Sequence, residues 1–264
     1  MRRQSILAAM AVVLLAAIPT VTEATLIASW NFDERSGTTA FDSAGSNDGV
    51  VHGAQWVDGL LDGALNFDGV DDYVEIPDSD SLNPYAGLTV SAWVYIDAIS
   101  WSDRTAVVCK YYWKGDGGRG DRAYMVELGK NNQPDNSTVG SAVAEVPTLP
   151  GHPIYGTTQL EAAQWYHIAA TFSPGHQRIY VNGLQEAYDS GAGVPDSLPN
   201  NHEPVYIGHD RDERTYFNGI IDEVRIYDVA LSPAEIRQLA IPEPATLLVL
   251  GLGGLAGLRR RRQA

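Results

Sequence analysis

Two acidic segments carry the residue types and spacing that a hard cation requires. Asp42 and Asn47 lie in segment 42–49, and Asp68 and Asp71 lie in segment 68–72. Calcium binds about six to eight oxygens from carboxylates, amides and backbone carbonyls. Asp222 would join the first set if the first and last strands of the domain pair. Because Asp-Gly pairs also form ordinary turns without an ion, calcium sites and plain turns both remain open.

A second set of residues has the chemistry of sugar recognition. Trp101 and the run Tyr111, Tyr112 and Trp113 flank the glycine-rich segment 115–121. Aromatic rings stack on the apolar faces of sugars, while amides and carboxylates bind the hydroxyls. Alternate members of the run 111–113 would belong to the core if the strand continues through them. We expect one of the three to be buried and the other two to be exposed.

Other aromatic or reactive residues are expected to be structural. Trp30, Trp93 and Trp165 lie inside strand patterns. His167 follows Trp165 in such a pattern, which favours a hydrogen-bonded scaffold residue over a metal ligand. Cys109 follows two valines within a strand pattern, which predicts a buried thiol.

Catalytic patterns are missing from the sequence. A glycosidase needs two carboxylates that face each other across a cleft. Asp222 and Glu223 are adjacent, so in a regular strand their side chains point to opposite faces. The six histidines have no nucleophile-elbow context. The sequence therefore predicts a protein that is not an enzyme.

The charge balance narrows the range of partners. The chain of 264 residues has 18 basic and 33 acidic residues, a formal net charge of −15. Such a charge disfavours nucleic acid and anionic membrane surfaces as ligands. The single cysteine excludes an intramolecular disulfide framework and a cysteine-based metal cluster.

The first 24 residues predict a secretory signal peptide. Arg2 and Arg3 precede the apolar stretch 6–18, and the small residue Ala24 closes the segment. This order of a basic start, a short apolar stretch and a small-residue cleavage site is typical of exported proteins. We expect the mature chain to begin near Thr25.

The C-terminal segment 241–264 has three features in a fixed order. Pro242, Glu243 and Pro244 are followed by fourteen uncharged residues at 245–258 and by four arginines at 259–262. A helix of that length spans about 21 Å, less than the hydrocarbon core of about 30 Å. The segment resembles a PEP-CTERM sorting signal. The resemblance implies a Gram-negative protein whose hydrophobic transmembrane helix associates transiently with the inner membrane. An exosortase would then process the tail, and the protein would reach the cell surface, the extracellular matrix or the medium.

Setting both end segments aside changes the charge of the remaining domain. The segments 1–24 and 242–264 contain six arginines and two glutamates, so 12 basic and 31 acidic residues remain. The net charge of residues 25–241 is therefore −19. The surplus of aspartate in turns favours a calcium-binding rim.

The domain between these segments reads as short strands separated by turns. The pattern predicts strands at 26–32, 64–67, 73–76, 88–96, 106–111, 123–128, 165–172, 177–181, 185–188, 205–208 and 216–227. Asn182 and Gly183 predict a hairpin turn. Ser232 and Glu235 form a capping box with Pro233 between them, which predicts one short helix. Segment 130–160 is expected to be a long insertion loop.

These elements predict an all-β fold, a two-sheet antiparallel β-sandwich of the jelly-roll type. Residues 25–240 form its single domain. Connecting loops lie at the rims of such a sandwich. Binding chemistry is expected at the rims or on one sheet face.

Five segments in order resemble motifs of laminin G-like domains in the concanavalin A-like lectin/glucanase superfamily. They are residues 65–74, 89–94, 165–169, 179–183 and 217–227. The resemblance implies the jelly-roll fold and a calcium site at the rim. It also implies a non-enzymatic binding or adhesive module that takes an extracellular or cell-surface glycan. The alternative is a structural matrix or surface protein without a small ligand, and a glycosidase is less favoured.

Overall fold

The computed structural model describes residues 24–97, 105–111, 123–132, 138–145, 153–190, 193–210 and 215–242. Two eight-stranded antiparallel sheets pack face to face over one core. The predicted signal peptide and most of the C-terminal segment lie outside the described residues. Within the part that is described, no helix is long and apolar enough to cross a membrane.

The first sheet, sheet I, carries the chain ends of the domain. From one edge to the other its strands are β14 (Leu184–Ser190), β13 (His176–Val181), β12 (Trp165–Ser173), β7 (Leu88–Ile96), β18 (Asn218–Tyr227), β5 (Gly63–Asp68) and β4 (Gln55–Asp58). Strand β1 (Leu26–Trp30) pairs with the second half of β18, beyond the stretch that pairs with β5. The expected pairing of the first and last strands is therefore present.

The second sheet, sheet II, faces the first across the core. Its strands in order are β11 (Ile154–Tyr155), β10 (Thr138–Glu145), β9 (Tyr124–Asn132), β8 (Thr105–Lys110), β15 (Val205–Ile207), β6 (Tyr73–Ile76), β3 (Gly49–His52) and β2 (Thr39–Ala40). A small hairpin of β16 (His209–Asp210) and β17 (Thr215–Tyr216) follows β15.

Alternation along the strands explains the core. In β12, Ile168 and Phe172 face sheet II, whereas His167 and Ala169 point to the outer face of sheet I. Trp30 and Phe67 are fully or almost fully buried in the same core. Stability of the domain therefore comes from two interdigitating apolar faces.

The described residues contain two short helices. A 3₁₀ turn spans Asp80–Leu82. Helix α1 spans Pro233–Leu239, and both hydrogen bonds of the predicted capping box between Ser232 and Glu235 are present. Ile236 is fully buried, and it belongs to a cluster with Ala169 and Tyr180. Helix α1 thus covers part of the outer face of sheet I.

The two ends of the domain lie side by side. The backbone N–H of Thr25 donates to Oδ1 of Asp228 at 2.9 Å. The N–H of Asp228 in turn donates to the carbonyl oxygen of Thr25 at 3.1 Å. The first residue of the expected mature chain is therefore clamped to the segment that leads into α1.

Segment 130–160 differs from its sequence-based prediction. It was expected to be a loop, but it contains the end of β9, all of β10 and the short strand β11. Ala142, Val143 and Ala144 are buried, and β10 pairs with β9 over eight residues. The neighbouring strand stabilises β10, whose glycine, serine and alanine content gives little strand propensity of its own.

Candidate functional site

The first predicted calcium loop is saturated by internal hydrogen bonds. Oδ1 of Asp42 accepts from the N–H groups of Ser29 and Ala44 at 2.9 and 3.0 Å. Oδ2 accepts from the backbone and side-chain amides of Asn47 at 3.0 and 2.9 Å. Burial alone would raise the pKa of Asp42, but the amides of Ser29 and Asn47 outweigh it, and the pKa lies below its ordinary value.

The amide oxygen of Asn47 is also engaged. It accepts hydrogen bonds from the hydroxyls of Ser79 and Ser81. The side-chain oxygens of Asp42 and Asn47 are therefore occupied by protein donors, whereas a hard cation needs open oxygens. These two predicted ligands fit a structural turn better than a calcium site.

Asp222 lies on the outer face of sheet I, where it holds a different turn. Its Oδ2 accepts from the N–H groups of Leu60 and Leu61 at 3.0 and 3.1 Å. A Cβ at Gly59 would come within 2.6 Å of the same oxygen. Burial is the main cause that raises the pKa of Asp222 to about 7, and the nearby charge of Glu223 adds to it. Asp222 therefore anchors the β4–β5 turn and shares no hydrogen bond with Asp42.

The second predicted calcium segment has a different geometry. One carboxylate oxygen each of Asp68, Asp71 and Asp72 lies within 4.8 Å of the other two. Oδ1 of Asp68 accepts from the N–H of Val70 at 2.8 Å, and Oδ2 of Asp72 accepts from the N–H of Asp68 at 2.9 Å. Burial raises the pKa of Asp72, and the charges of Asp68 and Asp71 raise it further. A cation between the three carboxylates would relieve this repulsion, so Asp68, Asp71 and Asp72 are the residues of this segment that could hold one.

The outer face of sheet II carries a group of rings that we call the aromatic strip. Its members are His52 on β3, Tyr73 on β6, Tyr206 on β15, His209 on β16 and Tyr216 on β17. These side chains share one face because the register pairs His52 with Tyr73 and Tyr206 with Glu75, two residues after Tyr73. Three strands and one hairpin thus bring together residues that are far apart in sequence.

Ring contacts run through the whole strip. His52 stacks on Tyr73 with ring centroids 4.4 Å apart, and His209 stacks on Tyr216 at 4.3 Å. Tyr73 contacts His209 at 5.4 Å and Tyr206 at 5.9 Å. The two stacked pairs are therefore joined into one continuous group.

The strip is open to solvent along the side of β3. The side chain of His52 is 41% exposed. Its Nε2 lies 4.0 Å from Oε2 of Glu75, whose side chain is 37% exposed. Val50 on the same strand is 47% exposed. Tyr206 and His209 are largely buried at 7% exposure each. An incoming ligand would meet hydroxyl, imidazole and carboxylate groups beside an apolar side chain.

Only one of the predicted sugar-binding aromatics lies within the described residues. Tyr111 is 4% exposed and packs with Cys109 and Met125, so it belongs to the core. Trp101, Tyr112 and Trp113 lie outside the described residues. Cys109 is a buried thiol, as predicted.

Trp30, Trp93 and Trp165 are structural, as predicted, whereas Nδ1 of the buried His167 has no hydrogen-bond partner among the described residues. Trp30 is fully buried and its indole N–H donates to the carbonyl oxygen of Asn47 at 2.9 Å. Trp93 packs edge-on against His167, and Trp165 packs against Tyr95. Burial lowers the pKa of His167 to about 3, with a smaller effect from Arg225. This imidazole is neutral at physiological pH.

Sequence reasoning missed the aromatic strip. The members lie in runs of two to four residues in which a ring alternates with a branched residue, as in Tyr73-Val74-Glu75 and Val205-Tyr206-Ile207. That alternation is a signal of rings that share one face of a sheet. Its assembly into one site depends on the pairing of β3, β6 and β15, which local sequence does not reveal.

Comparison with solved structures shows the same fold. Domain 4 of AbnA, a GH43 extracellular arabinanase from Geobacillus stearothermophilus in complex with arabinotriose, superposes with a TM-score of 0.64 at 23% identity, over 83% of this chain and all of that domain. The binding domain of Paraclostridial Mosquitocidal Protein 1 gives 0.63 at 17% identity, over 82% of this chain and 52% of that one. Trypanosoma rangeli sialidase gives 0.62 at 20% identity, over 87% of this chain but 34% of the sialidase. No curated protein matches the chain.

Two family profiles match. The PEP-CTERM protein-sorting motif covers residues 240–263, and it marks an exported surface or extracellular protein of Gram-negative bacteria. The laminin G profile of the concanavalin A-like lectin/glucanases superfamily covers residues 68–237, more than half of the chain. This chain therefore belongs to the concanavalin A-like lectin/glucanases superfamily.

Proposed function

We propose that this protein is a non-enzymatic module that binds carbohydrate through the aromatic strip at the cell surface or in the extracellular matrix. The observation that carries the proposal is the continuous contact of five rings on one sheet face, where the ring of His52 is partly exposed and the carboxylate of Glu75 lies beside it. Rings beside hydroxyl, imidazole and carboxylate groups have the composition of a sugar site. The complex of AbnA domain 4 with arabinotriose supports a sugar ligand for this fold.

The carboxylates of sheet I support a role in binding over one in catalysis. Asp222 is held by two backbone amides, and Glu223 pairs with Arg225. A glycosidase needs two carboxylates that reach a bound sugar from opposite sides. Asp222 and Glu223 instead stabilise the β4–β5 turn and the bulge of β18.

Retention on immobilised polysaccharides tests the binding function. We expect the native protein to be retained by at least one polysaccharide and Tyr73→Ala to lose that retention, because Tyr73 contacts three other rings of the strip. Tyr85→Ala is the matched control, since Tyr85 is 71% exposed and is not part of the strip. Retention that is equal for all three proteins, or absent for the native protein on every glycan, would contradict the proposal.

We also propose that the turn 68–72 binds calcium through Asp68, Asp71 and Asp72. The turn leads directly into Tyr73, so an ion there would hold β6 and the strip in place. A ligand present at about 100 times its dissociation constant adds about 2.7 kcal/mol to the free energy of unfolding. Chelation should therefore lower the thermal midpoint of the native protein but not that of Asp71→Asn. An unchanged midpoint in both would exclude a stabilising ion.

A further inference from the structure

A lysine, an aspartate and an asparagine meet between β8 and the 3₁₀ turn. Nζ of Lys110 donates to Oδ1 of Asp78 at 2.7 Å, and Nδ2 of Asn83 donates to the same Oδ1 at 2.9 Å. Lys110 is the last residue of β8, and Asn83 is the C-cap of the turn. Because both nitrogens bind one oxygen atom, the amine and the carboxamide are neighbours across this carboxylate.

The amine of Lys110 has the environment of a nucleophile. Its side chain is fully buried, and besides Asp78 it donates to the carbonyl oxygen of Glu203 at 2.5 Å. Burial lowers the pKa of Lys110, because removal from water disfavours the charged form. A neutral amine has two N–H groups, which these two acceptors satisfy, and one lone pair. Desolvation of this kind is a common way to activate a lysine amine.

The carboxamide of Asn83 is held by its nitrogen. Nδ2 also donates to the carbonyl oxygen of Ser79 at 2.9 Å, so both of its N–H groups are engaged. Oδ1 is buried and has no hydrogen-bond partner among the described residues. The next residue is Pro84, whose nitrogen carries no hydrogen and cannot attack the carboxamide to form a succinimide. The Asn83 carboxamide is therefore protected from the usual cyclisation of asparagine.

Asp78 is placed to move protons between the two nitrogens. Burial alone would raise the pKa of Asp78, but the hydrogen bonds from Lys110 and Asn83 outweigh it, and the pKa lies below its ordinary value. The ionised carboxylate can accept a proton from the amine and deliver it to Nδ2. Asp78 is partly exposed, and its Oδ2 lies 3.3 Å from Nδ1 of the solvent-exposed His202. A small leaving group can therefore escape on this side.

We propose that Lys110 and Asn83 join in an intramolecular isopeptide bond, with Asp78 as the proton carrier. The neutral amine of Lys110 attacks Cγ of Asn83, so that a C–N bond forms between the two side chains and the bond from Cγ to Nδ2 breaks. One proton of the amine passes through Asp78 to Nδ2, which leaves as ammonia. Nothing is oxidised or reduced, and no co-reactant is needed.

The bond ties β8, in the middle of sheet II, to the segment that follows β6. It closes residues 83–110 into a loop and restricts the unfolded chain, as a disulfide does. The chain has one cysteine and cannot form an internal disulfide. An amide cross-link gives the same restriction without an oxidising compartment.

Peptide mapping of the native protein tests the proposal. Trypsin releases residues 36–104, which contain Asn83, and it cuts after Lys110 only if that amine is free. We expect one branched peptide that joins residues 36–104 to residues 105–114 and is lighter than the two together by one molecule of ammonia. Separate linear peptides with cleavage after Lys110 would overturn the proposal and leave an ordinary hydrogen-bonded ion pair.

Three variants separate the roles of the residues. Asn83→Ala removes the acyl group and should restore complete cleavage after Lys110. Asp78→Ala keeps both partners, and we expect the yield of branched peptide to fall at least about tenfold because the proton carrier is gone. Asn66→Ala, on β5 and within the same tryptic peptide, is the matched control and should leave the branched peptide unchanged.

Two results with the variants would also overturn the proposal. One is a branched peptide that persists in Asn83→Ala, and the other is full yield in Asp78→Ala. The peptide map of the native protein decides whether the bond exists even if Asp78→Ala does not fold.

Discussion

The carboxylate of Asp72 lies directly against the backbone of Gly53. A Cβ at position 53 would come within 1.9 Å of Oδ1 of Asp72. Gly53 follows His52, and Asp72 precedes Tyr73, so this contact joins the acidic turn to the stacked pair of the aromatic strip. The absence of a side chain at position 53 is what allows the two segments to approach.

Gly53→Ala should therefore be more damaging than the same change at Gly37. Both glycines have positive φ, 78° and 95°, and Ala is strained in either place. A Cβ at Gly37 would meet nothing within 4 Å, so that variant shows the backbone cost alone, about 1–2 kcal/mol. We expect Gly53→Ala to lower the thermal midpoint further and to weaken polysaccharide retention. Equal effects of the two variants on both readouts would contradict the contact.

Asp222 should make the domain less stable as the pH rises. Its pKa is raised to about 7 in the folded state, whereas an unfolded Asp titrates near 3.9. Between these values the folded chain binds one more proton than the unfolded chain, so the free energy of unfolding falls as pH rises from about 4 to about 7.

Asp222→Asn should remove this pH dependence. The Asn oxygen can still accept from Leu60 and Leu61, and no buried charge forms. We expect the variant to gain on the order of a few kcal/mol over the native protein at pH 8 and much less at pH 4.5. Urea unfolding at both values measures the difference. A variant that is less stable than the native protein at pH 8 would refute this account.

Asp42→Asn should show the opposite pH dependence. The pKa of Asp42 is lowered on folding, so its stabilising contribution is present above the unfolded pKa and is lost as the pH falls through the folded pKa. In the variant, an NH2 group, which cannot accept a hydrogen bond, replaces one carboxylate oxygen. The remaining amide oxygen is a weaker acceptor than a carboxylate oxygen. We expect a loss of about 2 kcal/mol or more at pH 7, since hydrogen bonds to charged groups contribute about 1.5–3 kcal/mol. The difference from the native protein should shrink in acid, as urea unfolding at pH 3 and 7 will show.

The buried pair of Lys110 and Asp78 should respond asymmetrically to substitution. Lys110 is fully buried, and its ammonium donates to Oδ1 of Asp78 at 2.7 Å and to the carbonyl oxygen of Glu203. Burial lowers the pKa of Lys110. Asp78 is partly exposed and also accepts from Asn83 and His202.

Asp78→Ala should therefore cost more than Lys110→Met. Removing the carboxylate leaves a buried ammonium without its counter-charge, which typically costs about 3–5 kcal/mol. Removing the ammonium leaves a carboxylate that keeps two other donors and some water. Chemical unfolding at pH 7 compares the two variants. If Lys110→Met proves the more destabilising, the pair is held by Lys110 packing and not by charge.

Local signals predicted the parts of the fold that local interactions stabilise. The capping box at Ser232 and the turn at Asn182 and Gly183 were both correct, and both turn residues have positive φ, 48° and 76°. Long strands with clear alternation, such as β7 and β12, were also predicted. Each spans nine residues, which is long enough to reveal the period of two, and along β7 every second residue, such as Val90, Ala92 and Val94, belongs to the core between the sheets.

Features that depend on distant partners were not predictable in this way. Strand β10 exists because β9 and β11 pair with it. Asp222 lies in a stretch where β18 bulges, with Glu223 at a φ of 53°. The groups that contact the Asp222 carboxylate therefore depend on this bulge and on the β4–β5 turn. They depend less on the pairing of β18 with β1. The aromatic strip depends in the same way on strand order.

The clamp between Thr25 and Asp228 determines how the molecule is presented. Both ends of the domain leave beside sheet I, and α1 lies on the outer face of that sheet. The aromatic strip lies on the opposite outer face. If the molecule is attached through the segment that follows α1, the aromatic strip lies on the face opposite the attachment point.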